Sequence, residues 1–176
     1  MKKLLLSCFF ALGFGANAQY AYVGDFEDPG YNTTIYKQFG GGTRTTAAAC
    51  NGTNGGQLAI SSSATQTGYM IDLSEIGQTG NGQITNVSFG YKKASTVTGT
   101  LSLAYFVLNS ATNQWSVFTF GTPLTLTSAA TTTCATLSGT IPAGVIQPGQ
   151  VYGVGAWFVR SGSTSGNIYV DDITVN

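Results

Sequence analysis

The sequence predicts an all-β fold, a two-sheet antiparallel sandwich in one domain, and three observations predict it. No stretch beyond the N-terminal segment carries a 3.6-residue apolar period. Short runs rich in Val, Ile, Thr, Tyr and Phe recur instead. Gly, Asn, Ser and Pro clusters separate those runs at the short spacing of an antiparallel sandwich.

Ten strands follow in order: TTIYKQF, QLAIS, YMIDL, ITNVSFGY, LSLAYFVLN, WSVFTF, LTLT, ATLSGTI, VYGVGAWFVR and IYVDDITV. The segments GTNGG, GQTGNGQ, NSATNQ, QPGQ and SGSTSGN supply turns between them. In LSLAYFVL, Leu101, Leu103, Tyr105 and Val107 share one face, and Ser102, Ala104, Phe106 and Leu108 share the other. VYGVGAWFV is apolar on both faces, with Gly153 and Gly155 leaving room for a neighbouring backbone, so it belongs in the middle of a sheet. No internal repeat and no second domain is visible in the sequence.

MKKLLLSCFFALGFGANAQ has two lysines, an apolar run and Ala16-Asn17-Ala18 before Gln19, the pattern of a secretory signal over residues 1–18. It is too short for a membrane anchor, so residues 19–176 form an exported domain with no membrane insertion after cleavage. Cys8 follows Leu-Leu-Ser as in a lipoprotein site, but the apolar run continues past it. Five basic residues face seven acidic ones after residue 18, a balance that offers nucleic acid no surface. Cys50 and Cys134 are then either a disulfide or two buried thiols, and an oxidising compartment favours the bridge.

Five of those seven acids sit at the two chain ends: Asp25, Glu27 and Asp28 in GDFEDPG, and Asp171 and Asp172 in IYVDDITV. Strict alternation along the last strand places Asp171 on the face of Tyr169, Ile173 and Val175, and a buried carboxylate requires a partner. If the first and last strands are neighbours, the clusters converge, and gathered carboxylates without a basic residue suit calcium. The competing reading is that the acids keep edge strands soluble.

The GDFEDPG opening and the IYVDDITV close resemble the ends of galactose-binding-like jelly-roll sandwiches, the carbohydrate-binding modules attached to xylanases and cellulases. The order of GGQLAIS, YMIDLSEI, ITNVSFGYKK, LSLAYFVLNSATNQW and GNIYVDDITV also resembles the choice-of-anchor domains of bacterial proteins exported by the type IX system. The first resemblance implies a two-sheet jelly roll with a structural calcium joining its ends. It implies Glu27 and Asp172 as the side chains that hold the ion, with Asp25 and Asp171 beside them. The second implies a C-terminal sorting domain, whereas this sequence stops at Asn176.

With no histidine, the chain lacks Ser-His-Asp and Cys-His arrangements and histidine-ligated zinc. Asp72 and Glu75 are the only acids outside the end clusters and read as a capped turn rather than a glycosidase pair. Sugars stack on aromatic faces, and Trp115, after the polar NSATNQ loop, and Tyr105 are the candidate ligand-binding residues. Lys92 and Lys93 read as a solvated strand end, and the NTT, NGT and NVS sequons as chance.

The resulting expectation is a secreted, non-catalytic module for polysaccharide or cell-surface glycan, or for adhesion. Its alternatives are a structural or display domain without a small ligand, and a glycan hydrolase with an unrecognised carboxylate site.

Overall fold

The computed structural model describes residues 22–28, 35–77, 80, 84, 86–93 and 96–176. The signal segment and its cleavage point, with the NTT sequon and the start of the first expected strand, lie outside them. Eleven strands follow in chain order: β1 Tyr22–Gly24, β2 Tyr36–Phe39, β3 Gly41–Thr45, β4 Gly55–Ile60, β5 Gln66–Asp72 and β6 Asn86–Lys93. The remaining five are β7 Gly99–Asn109, β8 Gln114–Leu126, β9 Thr131–Thr140, β10 Tyr152–Arg160 and β11 Gly166–Val175. Among the described residues the only helical segments are two 3₁₀ turns, Thr46–Ala48 and Leu73–Ile76, and no helix is long and apolar enough to cross a membrane.

One sheet runs β3-β4-β11-β6-β9, with β1 also pairing β11; the other runs β2-β5-β10-β7-β8, and every pairing is antiparallel. The inner faces supply the core. Leu58 and Ile60, Val87 and Phe89, and Ile168 and Val170 come from the first sheet. Tyr69 and Ile71, Leu101 and Leu103, and Val154 and Phe158 come from the second. Burying a side chain of this size stabilises the fold by about 1.5–3 kcal/mol.

Two expected boundaries change. WSVFTF and LTLT are one strand, β8, whose pairing with β7 shifts register between Leu101 and Leu103 while the strand continues. β1 and β3 are strands that apolar alternation misses, because YVG is short and GGTRT is polar and glycine-rich.

The last strand does not alternate strictly. Ile168 and Val170 are buried, and so are Ile173 and Val175, so the buried face changes parity between them. A register shift between Asp171 and Thr174, with Asp172 at φ 49°, absorbs the extra residue. Tyr169 therefore lies on the opposite face from Ile173 and Val175, contrary to the strict alternation expected.

Cys50 and Cys134 form a disulfide with Cα atoms 5.6 Å apart, linking the segment before β4 to edge strand β9. With the partners 84 positions apart in sequence, the chain-entropy account assigns it about 4 to 5 kcal/mol. Replacing both cysteines by serine is expected to lower unfolding stability by about 2–5 kcal/mol in urea titrations. An unchanged midpoint would show that the bridge contributes nothing to the native balance.

Candidate functional site

The chain ends meet along one edge of β11. β4 pairs with Gly166–Val170 and β1 with Ile173–Val175, leaving Asp171 and Asp172 at the junction between them. Asp171 is in register with Gly90 and points away from the core, yet it is fully buried. The loop preceding β4 covers it. Its Oδ2 accepts the backbone N–H of Cys50 at 2.6 Å and of Asn51 at 3.1 Å, and its Oδ1 accepts the N–H of Asp172 at 2.9 Å.

Glu27, three residues past the end of β1, grips the same loop. Its Oε1 accepts the N–H groups of Thr53 and Asn54, each at 2.7 Å, and its Oε2 accepts the Asn54 side-chain amide at 3.2 Å. Asn51 Nδ2 donates to Asp172 Oδ2, and Asp25 Oδ1 accepts the Glu27 N–H at 3.1 Å. Phe26, at φ 59°, turns inward between these acids and stacks on Tyr36 with centroids 4.7 Å apart. Gly52 is the residue this grip demands, since its φ is +63° and a Cβ there would stand 2.5 Å from Glu27 Oε1.

The acids converge, but on the loop's amides. Among the described residues no three acidic or cysteine side chains gather as a group that could hold a metal, so Asp25, Glu27, Asp171 and Asp172 do not form the single carboxylate cluster expected. The physical reason is donor placement: N–H groups aimed at the carboxylate oxygens occupy them and oppose a cation there. The arrangement as it stands does not fit a preformed calcium cage.

Burial pushes the Asp171 carboxyl up to about 6, against the amides of Cys50, Asn51 and Asp172, which favour its charged form. The amides of Asn54 and Thr53 instead hold Glu27 below its ordinary value.

A second feature lies on the outer face of the five-stranded sheet. Met70, Ala104, Phe106 and Trp157 form a cluster separate from the main core, flanked by the partly exposed Phe39, Trp115 and Val117. Phe39 and Phe106 stack at 4.9 Å with planes 9° apart, and Trp157 meets both edge-on, at 6.2 and 6.0 Å. Gly68 makes this possible. It lies in register between Phe39 and Trp157, and a Cβ on it would come 2.3 Å from Trp157 Cε3. Lys37 and Asp72, ion-paired at 3.0 Å, stand on the same face.

Trp115 is therefore part of an outer-face cluster, at its β8 side, in register with Leu108. Tyr105 lies on the inner face of the same sheet, stacked on Phe118, so the two candidate ligand residues are not brought together. Phe39, Phe106 and Trp157 escaped the sequence reading as a group. The signal available was the pairing of large aromatics with small residues on one parity of LSLAYFVLN and VYGVGAWFVR.

Asp72 is the cap of the Leu73–Ile76 turn, accepting from Ser74 N and Oγ, as expected. The lysines are a correction. Lys93 is buried, donating to the carbonyls of Val97 and Thr127, and Lys92 donates to Ala49 O. A backbone-carbonyl socket accepts an ammonium without an acid, and burial lowers the Lys93 pKa.

No protein-family model matches the chain, and no curated protein does. Solved structures do. A xylan-binding domain of carbohydrate-binding family 22 superposes with TM-score 0.62 at 14% identity, over 90% of this chain and 95% of that one. The fold is the β-sandwich of carbohydrate-binding modules. A family 22 module with its catalytic partner, from Clostridium thermocellum endo-1,4-β-D-xylanase 10B in complex with xylohexaose, gives TM-score 0.60 at 18% identity. That match covers 89% of this chain, which spans 28% of the xylanase fragment's length. The family 11 module of cellulase Lic26A-Cel5E from the same organism gives TM-score 0.51 at 13% identity, over 90% of this chain and 95% of that one. The β-sandwich resemblance read from the chain ends is thus a resemblance of fold.

The two acids respond to pH in opposite senses. A raised carboxyl favours the native state while protonated, so the Asp171 contribution falls as pH rises from about 4 through about 6. The Glu27 contribution is present above the ordinary glutamate value and is lost as pH falls below it. Thermal melting followed across pH 4–7 is expected to show the first slope, and Asp171→Asn is expected to flatten it. A slope identical in that variant would assign it elsewhere.

Proposed function

We propose that the chain is a secreted, non-catalytic carbohydrate-binding module that lays a neutral polysaccharide along the outer face of its five-stranded sheet. One observation carries this reading: Phe39 and Trp115 stand partly exposed on the outside of a sheet, backed by the buried Phe106 and Trp157, where an isolated sandwich gains most from polar residues. Aromatic faces offer a sugar ring apolar area, and the partly exposed Lys37 ammonium on the same face offers its hydroxyls a charged partner. A structure of the same fold described as a xylan-binding domain, and a xylanase fragment carrying a module of this fold in complex with xylohexaose, support the class of ligand. Secretion rests on the N-terminal signal pattern and the disulfide. Adhesion to a cell-surface glycan is the same chemistry in another setting.

Among the described residues, the commitment of the carboxylates to structural partners supports a non-catalytic role. Asp72 is committed to Lys37 and Ser74, Asp171 to three amides and Glu27 to its loop.

Titration of the mature domain with xylan, cellulose fragments and mixed-linkage glucan is expected to quench or shift tryptophan fluorescence for at least one polymer. Trp115→Ala and Phe39→Ala, both at partly exposed positions, are expected to weaken that binding about tenfold, a loss of 1.4 kcal/mol, while the fold persists. No binding across the panel would favour a display domain, and product release from any polymer would favour a hydrolase.

A structural calcium is a second reading, favoured by the meeting of Glu27, Asp171 and Asp172 on one loop. Such an ion would compete with amide donors, so chelation would lower the melting temperature and added calcium would restore it. Melting indifferent to chelator would leave the amides as the whole clasp.

A further inference from the structure

On the inner side of the five-stranded sheet, where β7 and β8 run toward the 145–150 segment, a cavity of about 500 Å³ opens beside Tyr105 and Phe118. This size falls within the range of small-ligand sites. Phe118 is among the large hydrophobic residues left most exposed, at 46%, although one face of its ring stacks on Tyr105 at 5.1 Å with planes 15° apart. Its exposure is therefore that of a supported, oriented ring. Around it stand Asn109, Ser116 and Gln150, with Val145 opposite in the apolar lining, and no charged side chain lines the cavity.

The two amides are held in place. Asn109 Oδ1 accepts the N–H of Ala111 at 3.0 Å, and Gln150 Oε1 accepts the N–H of Gln147 at 2.7 Å. Each side chain thus spends its oxygen on the backbone of its own turn and keeps its NH₂ group for another acceptor. An oriented aromatic face, fixed amide donors, a hydroxyl and no charge are together complementary to a neutral ring that is apolar on one face and rich in hydroxyl acceptors at its rim. A phosphate or carboxylate would find no cation here, and a purely apolar ligand would leave the amides unpaired.

From this we infer that the domain has a second carbohydrate site, in which a pyranose unit of a neutral glycan stacks on Phe118 and takes hydrogen bonds from Asn109 and Gln150. This site is on the opposite side of the sheet from the Phe39–Trp157 cluster and does not depend on it. A chain bearing both sites would hold two glycan segments at once, gaining avidity without a second domain.

The test is a titration of the ¹⁵N- and ¹³C-labelled mature domain with xylohexaose and with cellohexaose, followed by NMR. Shifts of the Asn109 and Gln150 side-chain amides and of the Phe118 ring are expected with at least one of them. Phe118→Ala and Gln150→Ala, both at the surface of the fold, are expected to weaken that response at least tenfold while leaving the Trp157 indole response in place. Trp115→Ala is expected to do the reverse. Shifts confined to the Trp157 side would overturn this inference and leave the outer-face reading standing. Shifts confined to the Phe118 side would uphold it and overturn the outer-face reading. No shift at Phe118, Asn109 or Gln150 with either glycan overturns it outright, as does a response there that both cavity variants leave unchanged.

Discussion

The fold depends on a carboxylate buried outside the core. Asp171 sits where β4 ends and β1 begins along the same edge of β11, a point at which that edge has no strand to pair with. Three amide hydrogens take the place of the missing partner, two of them from a loop that the oxygen itself pins down. Leaving those donors and that charge unpaired would cost several kcal/mol, so the loop, the bulge and the strand end are fixed together or not at all. The parity change of β11 follows from the same point. A bulge at Asp172 permits Val170 and Ile173, three residues apart, to enter one core.

This arrangement explains what was legible in the sequence and what was not. The strand-rich pattern and the sandwich follow from local composition, because β-branched and aromatic runs broken by turn residues have few other solutions. The carboxylates also announced a partner, since IYVDDITV cannot bury acids for nothing. What composition cannot say is which donor arrives. Backbone N–H groups of residues 50–54 have no signature in side-chain identity, whereas acids that could hold a metal do. The socket of Lys93 is hidden in the same way: its partners include the carbonyls of Val97 and Thr127, invisible in residue types.

The aromatic face was half legible. Trp115 stood out because a polar loop precedes it, but Phe39 and Trp157 meet only through the register across Gly68, a long-range fact. Tyr105 and Trp115 are the two ligand candidates of the sequence, yet successive residues along a pleated strand point to opposite sides, and one residue of parity separates the two surfaces. The sheet is thus a partition with aromatic groups on both sides, one set buried at its centre and partly exposed only at Phe39 and Trp115, the other opening at the rim beside β8.

The disulfide has a mechanical meaning for a domain that would be pulled by whatever it holds. Tyr22 and Val175 are paired directly, so tension applied at the two ends of the domain opens β1 from β11 like a zip, one pair at a time. Once the amide clasp at Asp171 yields, the chain between Cys50 and Cys134 still cannot pay out. Those 84 positions of sequence separation are removed from the length the molecule can release. An extended tether would therefore lengthen in a first step and then stiffen, with β4, β5, β6, β7 and β8 still enclosed by the bridge.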